Sequence, residues 1–126
     1  MPATLSTLEK LQELELGVNS LTGTIPSEFG LLKRLEEVNL IFNSISGTLP
    51  SEIRECMRLK RFYLTGNNIE GTIPSELFRE PSLRSLYLSQ NSLTGTIPAN
   101  IHRAKHLEEC KFWCSTLLMS LSCSLN

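Results

Sequence analysis

Two histidines and two cysteines near the C-terminus, His102, His106, Cys110 and Cys114, are spaced by four. On one continuous helix that spacing lines a single face, and imidazole and thiolate donors together could hold zinc there. Little else in the chain has the residue types that catalysis or metal chemistry needs. All 13 acidic residues are glutamates, which excludes an aspartate-dependent triad, an aspartate dyad and an EF-hand loop. No GxSxG, HExxH or GxxxxGK[ST] stretch occurs. Paired glutamates such as Glu36-Glu37 fall on a solvated face, with nothing nearby to raise a carboxyl pKa. The chain is expected to be no enzyme and to need no cofactor.

Charge adds further exclusions. Twelve Lys and Arg against 13 Glu leave a net charge of −1, so there is no general pull toward nucleic acid or an anionic bilayer. Met1 to Lys10 has neither the basic nor the apolar region of a secretory leader. No run reaches the roughly 20 apolar residues that cross a membrane.

The elements that must carry any site are set by a repeat. Leucine accounts for 23 of 126 residues while aromatics are only 6%, which points to a regular, layered core. From Leu11 the pattern returns every 24 residues: Leu11, Leu35, Leu59, Leu83 and Leu107 hold its first position. Its fourth position is Leu14, Val38, Phe62, Leu86 and Cys110; its sixth is Leu16, Leu40, Leu64, Leu88 and Phe112. Period-2 alternation there predicts a short strand with one buried face. Asn19, Asn43, Asn67 and Asn91 follow where the chain turns, and their amides are expected to bond backbone groups of their own and the next coil as a ladder. A glycine permits the tight backbone beyond, and Ile-Pro or Leu-Pro fixes φ where the chain leaves the strand side. A short helical or 3₁₀ turn closes each coil. No coil can bury its leucines alone; stacking creates the core.

The segment Leu35-Glu-Glu-Val38-Asn-Leu40-Ile-Phe-Asn43-Ser-Ile45-Ser-Gly47-Thr-Leu49-Pro50 resembles the leucine-rich repeat family, in its plant-type LxxLxLxxNxLxGxIPxx form. The resemblance covers about residues 1 to 112. It implies an α/β leucine-rich repeat solenoid: a right-handed, curved superhelix with a parallel concave sheet and loops or 3₁₀ turns on the convex side. Residues 1–126 read as a single domain of about five coils, the first partial and the last (107–126) degenerate. Proteins of this pattern include the repeat regions of receptor-like kinases, receptor-like proteins and algal relatives. The resemblance therefore implies a protein or peptide partner on the concave face of a cell-surface recognition and signalling protein. It specifies a scaffold, not a ligand.

Outward strand positions narrow that face. Neighbouring parallel strands lie about 4.8 Å apart, so Tyr63 and Tyr87 are expected side by side. Ile41 and Phe42 are expected exposed beside them, and Arg61 and Arg84 flanking. These six residues are the candidate ligand-binding set. The alternative is that Glu36-Lys60-Arg84-Glu108 and Glu37-Arg61 are simply charge ladders worth about 0–1 kcal/mol per pair. A spacer or dimerisation array without a dedicated ligand is the competing function. A zinc-binding C-terminal unit is a third reading. It conflicts with the repeat phase, which puts Leu107, Cys110 and Phe112 on a strand and makes Cys110 and Cys56 small buried thiols.

Both ends depart from the pattern. Pro2, Leu5 and Leu8 already sit in repeat phase, so the chain is expected to be a fragment that begins mid-coil. After Phe112 the Asn, Gly and Pro are lost; the tail reads either as an atypical coil folded over the stack edge or as sequence foreign to the array. Uncapped ends would favour self-association. Cys114 and Cys123 are a candidate pair in an oxidising compartment. None of the eight asparagines begins a glycosylation sequon. Compartment is therefore open: cell surface or extracellular for a fragment of a receptor-like protein, cytoplasmic for a complete chain.

Overall fold

A computed structural model describes residues 7–79, 81–112 and 122–124. The repeat folds as read. Three-residue strands β1 (Glu13–Glu15), β2 (Glu37–Asn39), β4 (Arg61–Tyr63), β6 (Ser85–Tyr87) and β8 (Glu109–Lys111) stack in parallel, each 24 residues after the last. The middle residue of each points inward: Leu14, Val38, Phe62, Leu86 and Cys110 are all buried. Leu35, Leu40, Leu59 and Leu64 join them with no exposed surface, giving the layered core that the leucine count implies.

The return segments are 3₁₀ turns, Ser27–Leu31, Ser51–Glu55, Ser75–Arg79 and Ala99–Arg103. Proline precedes each one, and its fixed φ (−73° at Pro26, −71° at Pro50, −55° at Pro98) sets the entry. The carbonyls of Pro26 and Pro50 accept from the N–H groups of Phe29 and Ile53 at 3.1 and 3.2 Å, closing the tight turn. Phe29, Ile53 and Leu77 project from these turns into the core.

Two features depart from expectation. The first is a second parallel sheet after the asparagines, made of β3 (Ser46–Thr48), β5 (Asn68–Gly71) and β7 (Ser92–Leu93) and extended by a bridge from Thr24 to Ser46. Gly and Pro in this stretch read as loop. Yet Ile45, Ser46, Gly47, Thr48 and Leu49 alternate buried and outward with period 2, a strand pattern masked by its glycine. The second is β9 (Ser122–Ser124), which pairs antiparallel with β8, Cys110 standing opposite Cys123. The edge of β8 is thus paired by a strand from the tail.

The asparagine ladder points toward the preceding coil, not the next. Asn67 Oδ1 accepts from Ile45 N at 3.0 Å, and its Nδ2 donates to the carbonyls of Leu40 and Leu64 at 2.9 and 3.0 Å. Asn43 and Asn91 repeat this arrangement. Asn19 is exposed and, among the described residues, donates within its own coil to the Leu16 and Gly17 carbonyls.

Candidate functional site

Parallel register turns the 24-residue repeat into two rows of outward side chains on the strands. One runs Glu13, Glu37, Arg61, Ser85, Glu109, of which Ser85 is buried; the other runs Glu15, Asn39, Tyr63, Tyr87, Lys111. Tyr63 and Tyr87 are brought together, with ring centroids 4.8 Å apart and planes tilted by 43°. Both are half-buried. Lys111 Nζ sits 4.4 Å from the Tyr87 ring centroid, within cation–π range. The Tyr87 hydroxyl donates to Glu109, and this bond to a carboxylate, aided by burial, pushes the phenol up to about 12.

The arginines are engaged in the ladders. Arg61 is bonded to Glu37, a partner that raises its pKa further above the usual guanidinium value. Arg84 Nη1 meets Glu108 at 2.6 Å, and Lys60 Nζ meets Glu36 at 2.6 Å. The Lys60 hydrogen bond holds the Glu36 carboxyl below the ordinary carboxylate range. Asn39 donates to Glu15 at 2.8 Å. Glu13 and Glu15 make no ion pair among the described residues.

Phe42 does not join the tyrosines. It turns toward the next coil, where its ring would lie 2.5 Å from a Cβ added to Gly66. The backbone explains why. Val18, Phe42, Gly66 and Gln90 share one repeat position and all have left-handed φ, of 55°, 49°, 72° and 54°. The coil demands this conformation, which costs an L-residue roughly 1–2 kcal/mol and is least suited to a β-branched side chain. Val18 is nonetheless 73% exposed and Phe42 51% exposed. Ile41 beside them is half-buried and leans on Gly17. Val18, Glu109 and Lys111 hold outward positions of the repeat but stand outside the six-residue candidate set. Gly66 is the one sign in the sequence that the Val18 row is left-handed.

The zinc reading fails on placement. His102 lies in a 3₁₀ turn, Cys110 lies on β8 and is disulfide-bonded, and Cys114 lies outside the described residues. Cys110 is therefore not the free buried thiol that the repeat phase suggests. The proposed Cys114–Cys123 pair also lies outside the described side chains. Cys56 is buried, its thiol donating to the Phe29 carbonyl at 3.0 Å. Among the described residues no group of three or more metal-ligand side chains forms, and no helix is long and apolar enough to cross a membrane.

The Leucine Rich Repeat family profile matches residues 10–32, 34–56, 58–79 and 82–104. A sequence comparison with curated proteins finds none that matches. Solved structures are similar throughout. The plant peptide hormone receptor RGFR1, solved in complex with RGF2, is 38% identical over 86% of this chain and 17% of its own, with a TM-score of 0.84. The Arabidopsis receptor kinase HAESA, solved with the peptide hormone IDA and the co-receptor SERK1, is 36% identical over 87% of this chain and 19% of its own, with a TM-score of 0.83. A plant ice-binding protein is 32% identical over 89% and 36%, with a TM-score of 0.84. The chain thus spans well under two thirds of each of these chains. With four profile matches along most of its length and the stacked parallel coils they prescribe, the chain belongs to the leucine-rich repeat family.

Proposed function

We propose that this chain is a non-enzymatic binding module that holds a protein or an extended peptide on its concave sheet. Ile41, Phe42, Arg61, Tyr63, Arg84 and Tyr87 contribute to the contact, within a cell-surface or extracellular recognition protein. The observation that carries this reading is the half-exposed Tyr63–Tyr87 pair, 4.8 Å apart at the middle of an open parallel sheet. Adjacent tyrosines offer large, rigid, amphipathic surface at low entropic cost, the feature that interface centres favour. Peptide-hormone complexes of similar receptors support the ligand class, and the ice-binding neighbour is the reason the fold alone does not name it. The disulfide at Cys110 suits an oxidising compartment.

Selection of a displayed random peptide library on the immobilised chain tests the proposal. Enriched peptides should lose binding to the Tyr63→Ala/Tyr87→Ala variant while its circular dichroism spectrum is retained. No enrichment above a blank surface, or equal binding to the double variant, would favour the spacer reading instead.

A further inference from the structure

Two costs meet at one place on the first two coils. Val18 and Phe42 hold exposed apolar side chains, and both do so on left-handed backbone that a glycine accepts freely one coil later. The exposed side chains do not serve the core. Val18 N donates to the Ile41 carbonyl at 2.7 Å and Asn19 N to the Phe42 carbonyl at 3.2 Å, so these residues form one continuous edge. Single exposed apolar residues are ordinary; the coil imposes the left-handed backbone in every repeat, so what sets these two coils apart is that they carry a large apolar side chain there where later coils carry Gly66 and Gln90. Beside it on β1 stand Glu13 and Glu15, two exposed carboxylates that make no ion pair among the described residues, Glu15 accepting a hydrogen bond from Asn39.

We propose that this edge docks an extended peptide segment carrying an apolar side chain and a basic one close together. Val18, Ile41 and Phe42 take the apolar group; Glu13 and Glu15 take the basic one. Charge complementarity selects the occupant: a basic side chain answers these two exposed carboxylates, whereas an acidic segment would be repelled. Glu15 precedes Val18 by three positions and the chain turns at Val18, so at most about 10 Å separates them along the chain, which a peptide spans with its apolar and basic groups about two or three residues apart. The inference rests on the concave-face reading and specifies the chemistry of the partner at its N-terminal end.

The probe is fluorescein-labelled acetyl-Gly-Arg-Gly-Leu-Gly-Arg-Gly-amide, followed by anisotropy at low salt. Replacing both arginines with glutamate, or leucine with serine, should weaken binding at least tenfold. Val18→Asn with Phe42→Asn should weaken it tenfold without lowering the melting temperature, because asparagine tolerates left-handed backbone. Glu13→Gln with Glu15→Gln should weaken it and flatten its salt dependence. No binding at millimolar peptide, equal binding of the glutamate or serine peptide, or unchanged binding by either double variant would overturn the proposal. If the library-selected peptides lose binding to Tyr63→Ala/Tyr87→Ala but keep full affinity for Val18→Asn/Phe42→Asn, this inference falls and the concave-face function stands. If they lose binding to neither variant, both fall.

Discussion

The hydroxyl of Tyr87 donates its hydrogen bond to the carboxylate of Glu109 on the neighbouring strand, across the β6–β8 register. A phenolate there would face that carboxylate, so the neutral phenol is favoured and its pKa rises to about 12. The folded state then holds its proton more tightly than the unfolded chain, whose tyrosine titrates near its ordinary value of about 10. The stability contributed is fully present below pH 10 and is lost as pH rises through about 12. Tyrosinate absorbance in the folded protein should show one phenol titrating late, and Glu109→Gln should return it toward 10. A Glu109→Gln titration superimposable on the wild type would refute the assignment of cause.

Asn67 and Asn19 share a repeat position but not an environment. Asn67 is 8% exposed and satisfies three backbone groups spread over two coils. Asn67→Ala leaves Ile45 N and the Leu40 and Leu64 carbonyls short of a partner in the core, a loss of about 2–4 kcal/mol. Asn19→Ala removes bonds to two exposed carbonyls of its own coil that water can replace, costing under about 1 kcal/mol. Urea melts of the two variants should separate clearly; equal losses would mean that the ladder stabilises each turn locally and does not tie coil to coil.

The contrast between these asparagines also shows what a sequence of this kind can and cannot tell. Period and residue type were enough to place the strands, the inward leucines and the Tyr63–Tyr87 pairing, because all three follow from parallel register alone. What Arg61 and Arg84 do was not legible as a choice: the sequence offers them both as flanking contacts and as ladder members, and only geometry pairs them with Glu37 and Glu108. The left-handed row was nearly silent, since three of its four described members are not glycine. The second sheet was hidden by Gly47 and Gly71, whose presence reads as turn although the alternation around them is that of a strand. The antiparallel β9 had no signal, because pattern is lost after Phe112.

Cys110 takes the inward place that leucine holds in the preceding coil, and it is disulfide-bonded. A crosslink at the last parallel strand constrains the unfolded chain near the end of the stack. Reduction should destabilise the protein by about 2–4 kcal/mol and lower its melting temperature by on the order of 10 °C. Thiol titration in denaturant without reductant should find two fewer reactive groups than the four cysteines of the sequence. Four reactive thiols, or a melting temperature indifferent to reductant, would contradict the bond.

Phe42 and Gly66 make the sharpest test of the left-handed row. A Cβ at Gly66 would come within 2.5 Å of the Phe42 ring, and the residue has φ of 72°. Gly66→Ala therefore meets two penalties, one of backbone and one of contact, together about 2 kcal/mol. In a Phe42→Ala background the contact penalty disappears and the backbone penalty of about 1 kcal/mol stays. The double-mutant cycle should thus show a coupling of about 1 kcal/mol, with Gly66→Ala milder when Phe42 is already gone. Additive effects would mean that the aromatic ring moves aside freely, and the edge formed by Val18, Ile41 and Phe42 would then be a loose cover over solvent instead of a preformed surface.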